Sequence, residues 1–75
     1  MADNKTIHVE VINIRGREYK IEILRHWLNN GLCWEVFRRG EFGLWDRIPC
    51  SSRAEERAFP KSVALAACNI MNRFQ

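Results

Sequence analysis

The sequence predicts an α+β fold, a two-layer sandwich in which one C-terminal helix covers a three- or four-stranded antiparallel sheet. Three observations predict it. Apolar and polar residues alternate through the first part of the chain, the mark of half-buried strands. Short turns rich in Gly and Asn separate the alternating runs. From Val63 onward the apolar period changes to that of a helix. One helix can cover one face of a small sheet, which gives two layers in the order β-β-β-(β)-α.

The elements follow in order. Residues 1–6 are polar and expected to fray. Ile7, Val9 and Val11 alternate with His8 and Glu10, which reads as a strand. Ile12 and Ile14 continue out of phase, so a β-bulge at Val11–Ile12, or burial on both faces, is expected there. Arg15-Gly16-Arg17-Glu18 reads as a tight turn with Gly16 free to take positive φ. The second strand is Tyr19 to Arg25, with Tyr19, Ile21 and Ile23 on one face. His26-Trp27-Leu28 extends this strand or closes it against the core. Asn29-Asn30-Gly31 is the strongest turn signal in the chain.

Leu32 to Arg38 forms the third strand, with Leu32, Trp34 and Val36 on one side and Cys33, Glu35 and Phe37 on the other. Arg39-Gly40-Glu41 turns the chain into a short strand from Leu44 to Ile48, which stops at Pro49 because proline cannot donate to a ladder. Ser52 and Glu55 have capping-box spacing and could open a helical turn; a polar loop is the other reading. Pro60 suits a helix start. Val63, Ala67, Ile70, Met71 and Phe74 then recur at helical spacing over about 14 residues.

With 75 residues the chain is read as a single domain, 1–75. A chain of this size buries only about 60% of its unfolded surface, so the core is small. The predicted helix-side face carries Val9, Tyr19, Ile21, Ile23, Trp34, Val36, Leu44 and Ile48, against Val63, Ala67, Ile70 and Phe74. No stretch approaches the roughly 20 apolar residues of a membrane span. MADNKTIHVE has no apolar h-region after a basic start. Cys33, Cys50 and Cys68 are odd in number and widely spaced, unlike a disulfide framework, and read as reduced, with Cys33 and Cys68 partly buried. A cytoplasmic protein, with no membrane partner, is the expectation.

The chemistry is sparse. Two histidines, His8 and His26, and one tyrosine are the mid-range proton-transfer groups, and no third group is spaced to orient either histidine. Cys33 and His26 could pair as thiolate and imidazole across a hairpin, without an oxyanion donor suggested by spacing. There is no C-x₂-C or H-x₃-H pair for zinc and no glycine-rich phosphate loop, so no metal or cofactor is expected. The chain is therefore expected not to be an enzyme.

What remains is a surface. Alternation leaves His8, Glu10, Lys20, Glu22, Cys33, Glu35, Phe37, Trp45 and Arg47 on the sheet face away from the helix. Phe37 and Trp45 are the surplus there, with arginines beside them. Phe37, Arg38, Arg39, Trp45 and Arg47 form the candidate partner-binding surface. A cross-strand aromatic pair stacked by guanidinium groups, serving the sheet alone, is the plainer reading of the same residues.

The charge is +3, from nine arginines and three lysines (12 together) against nine acids. Arginine suits phosphate, and single-stranded nucleic acid is held by aromatics flanked by cations. Glu35 and Asp46 stand against this, because acids are interleaved in the same patch. The β-β-β-α order with an alanine-rich last helix resembles the later part of a double-stranded-RNA-binding domain. The chain lacks that family's first helix and the lysine cluster opening its last one, so that function is not carried over.

A further resemblance rests on Tyr19 opening a strand, Trp34 inside one, Phe59 just before the helix, and the Ala64/Ala67 spacing within it. From Tyr19 to Phe74 the chain is similar to small uncharacterised bacterial domains of antiparallel strands followed by one helix. The polar insert Ser51 to Arg57 departs from that pattern. The resemblance implies a fold and a bacterial or phage origin, and no activity. The expected function is a small non-catalytic interaction or regulatory module that binds a protein partner, or itself, through the open sheet face. The alternative is nucleic-acid binding by the arginine-rich strands.

Overall fold

The computed structural model describes residues 4–48 and 60–75. The chain forms β1 (Lys5–Ile14), β2 (Arg17–Arg25), β3 (Leu32–Arg39), β4 (Trp45–Ile48) and α1 (Lys61–Asn72). The strands make one antiparallel four-stranded sheet in the order β1-β2-β3-β4, so neighbours in sequence are neighbours in space. The helix packs over β2 and β3. This is the expected open sheet with one C-terminal helix, and the fourth strand does form.

The turns set the register. Arg15 and Gly16 both take positive φ (54° and 81°), which is the two-residue turn whose twist matches a right-twisted hairpin. The Gly16 N–H donates to Asn13 Oδ1 at 3.1 Å. The turn is thus two residues long, with Arg17 and Glu18 already in β2, and it pairs Ile14 with Arg17 and Ile12 with Tyr19. Between β2 and β3 the chain turns through His26–Gly31, where the His26 N–H donates to the Gly31 carbonyl (2.8 Å) and Asn30 sits at φ 59°. Trp27 and Leu28 lie exposed in this turn; they neither extend β2 nor close on the core. Between β3 and β4, Gly43 takes φ 75° and the Gly40 N–H donates to the Leu44 carbonyl (2.7 Å).

The core consists of Tyr19, Ile21, Ile23, Val36 and Ile48 from the sheet and Val63, Ala67 and Ile70 from the helix. Trp34 packs half-buried against it. Full burial of side chains such as Ile21 and Val36 stabilises by roughly 1.5–3 kcal/mol each. The helix begins at Lys61 with Pro60 as its N-terminal cap, and it runs for 12 residues.

Three core expectations are corrected. Val9 is 49% exposed on the sheet face away from the helix. The two-residue turn is the cause: it fixes Ile12 opposite the buried Tyr19, and period-two alternation then carries His8, Glu10 and Ile14 to the helix side. His8 and Glu10, expected to face outward, therefore point toward the end of the helix. The register shift lies between Thr6 and His8, not at Val11–Ile12. Leu44 precedes β4 and is exposed, because the strand begins only at Trp45. Phe74 lies beyond the helix, at the edge of the core, with its ring tilted against His8 (ring centroids 5.1 Å apart, interplanar angle 44°). Cys68, expected to be partly buried, is exposed on α1, whereas Cys33 is half-buried. Cys50, the Ser52/Glu55 capping box, Phe59 and the insert Ser51 to Arg57 lie outside the described residues.

Candidate functional site

The helix covers one face of the sheet, and no described element covers the other. The β1–β2 and β2–β3 registers place Val9 and Val11 of β1, Glu18, Lys20 and Glu22 of β2, and Glu35, Phe37 and Arg39 of β3 on this open face. Trp45 and Arg47 of β4 join them opposite Arg39 and Phe37. Four of the five residues expected to form a surface, Phe37, Arg39, Trp45 and Arg47, are thus adjacent. Arg38 is not with them. It alternates to the helix side, opposite Tyr19 and Asp46. There it lines an open groove at the turn end of the sheet, where Arg17, Arg38 and Arg39 mingle with Glu18, Glu41 and Asp46.

The aromatics are half-buried because cations of the same face lie over them. Lys20 Nζ sits 4.4 Å from the Phe37 ring centre and 5.5 Å from that of Trp45. The Arg39 guanidinium carbon is 4.9 Å from the Trp45 ring centre. Each such contact contributes about 0.5–1 kcal/mol where exposed. The sequence sets Lys20 on this face without counting it in the candidate partner-binding surface. Its signal was available, since β2 alternation sets it on the same face as Phe37 of the next strand.

The cations are also paired with acids. Lys20 meets Glu22 at 3.3 Å, Arg47 meets Glu35 at 3.0 Å, and Arg39 meets Glu18 at 3.7 Å. Three cations thus face three carboxylates, and this group carries no net charge. Solvated pairs of this kind contribute only about 0–1 kcal/mol each. Their consequence is that, among the described residues, neither guanidinium of the open face, Arg39 or Arg47, is offered without its own carboxylate.

Val9 and Val11, both about half exposed, are the second group that sequence reasoning missed. They extend the open face to the outer edge of β1. On the opposite side of that strand, Glu10 Oε1 accepts from His8 Nε2 (3.1 Å) and from Arg73 Nη1 (3.5 Å), which ties β1 to the end of the helix.

The thiol and imidazole groups are engaged separately. The Cys33 thiol donates to the Leu24 carbonyl (3.8 Å), and His26 Nδ1 accepts the Leu28 N–H (3.1 Å). Burial pushes the Cys33 thiol above its usual range, and the nearby Glu35 charge adds to the shift. The thiolate is the reactive form. Alkylation by iodoacetamide near pH 8, followed by peptide mass spectrometry, should therefore modify exposed Cys68 before half-buried Cys33. Raising the pH should bring Cys33 forward. Among the described residues, no three His, Cys, Asp or Glu side chains converge as metal ligands would. No described helix is long and apolar enough to cross a membrane.

No family model, curated protein or solved structure gives a significant match to the chain.

Proposed function

We propose that this chain is a small cytoplasmic interaction module, without catalysis of its own, whose open sheet face binds a protein surface. A second copy of the chain is the simplest such partner. One observation carries the reading: a single helix covers one side of the sheet, while the other carries Val9, Val11, Phe37 and Trp45 with no described helix or strand packed over it. Apolar and aromatic groups ringed by arginines have the composition of a protein interface, where Trp and Arg are over-represented among the residues that matter most.

The charge pattern favours a protein over a nucleic acid. A phosphate chain gains affinity by replacing counterions on free lysines and arginines. Here Lys20, Arg39 and Arg47 already hold Glu22, Glu18 and Glu35, and the rings on which bases would stack lie under Lys20 and Arg39.

The test is an amide-shift titration with short DNA and RNA pools at low and then raised salt. The expected result is no saturable shift on the open face. Shifts at Arg38, Arg39, Trp45 and Arg47 that fade with salt would replace this reading with nucleic-acid binding, since each phosphate contact to duplex DNA gives a slope of about −0.9 in log affinity against log salt.

A further inference from the structure

We infer that the free edge of β1 pairs antiparallel with β1 of a second copy, about a two-fold axis at Val11, so that two four-stranded sheets become one of eight strands. This deepens the reading above by fixing the partner and the end of the open face that meets it. The two edges of the sheet differ. β4 has four residues, and a short edge is a poor template. β1 has ten residues and, among the described residues, no strand on its outer side. Exposed edges of that length are usually protected by proline, lysine or a bulge. Between His8 and Ile14 there is no proline, glycine or lysine, and the register shift lies before His8. The one charge in that stretch, Glu10, is already held by His8 and Arg73.

Both faces of β1 are also unfinished. Val9 and Val11 are about half exposed on the open side. Ile12 and Ile14 are half-buried on the helix side, since the helix lies over β2 and β3. A strand added at this edge would cover all four.

The register follows from charge and pleat. Side chains directly opposite in an antiparallel pair point to the same face, so a two-fold related pair must centre on a residue. Centring on Glu10 sets two carboxylates directly opposite each other, which is unfavourable. Centring on Val9 runs the irregularity before His8 into the new ladder. Centring on Val11 uses only the regular stretch 8–14. It pairs Val11 with itself, Val9 with Asn13 of the second copy, Glu10 with Ile12 and His8 with Ile14. No like charges then face each other directly, and the two open faces run on as one continuous surface.

Sedimentation of the whole chain across a concentration series tests this, with reductant present. The wild type should approach twice its 8.9 kDa mass. Val11→Lys places two ammonium groups opposite each other at the axis and should weaken association at least 10-fold, with the circular dichroism spectrum unchanged because Val11 is half exposed. Trp45→Ala, at the far side of the sheet, should leave the mass unchanged. Hydrogen exchange gives a readout that needs no variant: β1 amides pointing away from β2 should gain protection as concentration rises. A wild type that stays at 8.9 kDa with unprotected β1 amides, or a Val11→Lys chain that still dimerises, overturns edge pairing. Dissociation by Trp45→Ala but not by Val11→Lys overturns the edge geometry while leaving the open-face reading in place.

Discussion

Ile21→Ala is expected to cost about 2–5 kcal/mol, the range for emptying a fully buried aliphatic site. Ile21 is completely buried at the centre of the sheet, opposite Val36 of β3 and Glu10 of β1, beneath the helix. In a chain this short, each kcal/mol lowers the melting temperature by roughly 4–8 °C. The same change at Val9, which is half exposed, should cost under about 1 kcal/mol. Thermal and denaturant unfolding of the two variants compares them directly. Equal losses would mean that β1 has the opposite phase, with Val9 inside.

The second large effect is on the helix. Val63→Asp sets a carboxylate into a fully buried apolar site among the isoleucines of β2. No charged group is buried there among the described residues to pair with it, so the cost should exceed about 4 kcal/mol. Total stability at this length is of the order of 0.05–0.15 kcal/mol per residue, so the variant should lose a large part or all of its cooperative unfolding transition. Leu65→Asp, two residues along on the exposed side of α1, should change stability by no more than about 0.5 kcal/mol. If Val63→Asp unfolded as sharply as wild type, the helix would not be docked by that stripe.

How far the structure could be read from sequence differs by element. β2, β3 and α1 each follow one dominant period, broken in β2 only by buried Leu24 beside Ile23, and Tyr19, Ile21, Ile23, Val36, Val63, Ala67 and Ile70 are the core that those periods imply. β1 contains two phases in one strand, Val9 and Val11 against Ile12 and Ile14. Periodicity cannot choose between them; the length of the Arg15-Gly16 turn does, because one residue of slip exchanges the two faces. A turn of four residues, Arg15 to Glu18, would pair Ile14 with Tyr19 and keep the same faces; it is the alternation starting at Ile7 that points to Val9 as core. The pairing of Phe37 with Trp45 across one face followed from alternation. Closeness in sequence groups Arg38 with them, although its neighbours in a strand necessarily point the other way. The ion pairs that neutralise the face, and Lys20 lying over both rings, depend on cross-strand register and on side-chain reach. Neither is written in a local pattern.

The open face as the surface where two copies of the chain meet is tested most directly by mapping amide shifts of the whole chain as it is concentrated, without any added ligand. Binding through the open face at its β1 end predicts movement at Val9, Val11, Asn13 and Lys20, with the outer side of α1 around Leu65 and Cys68 unmoved. Shifts confined to α1, or none across the series, would contradict it.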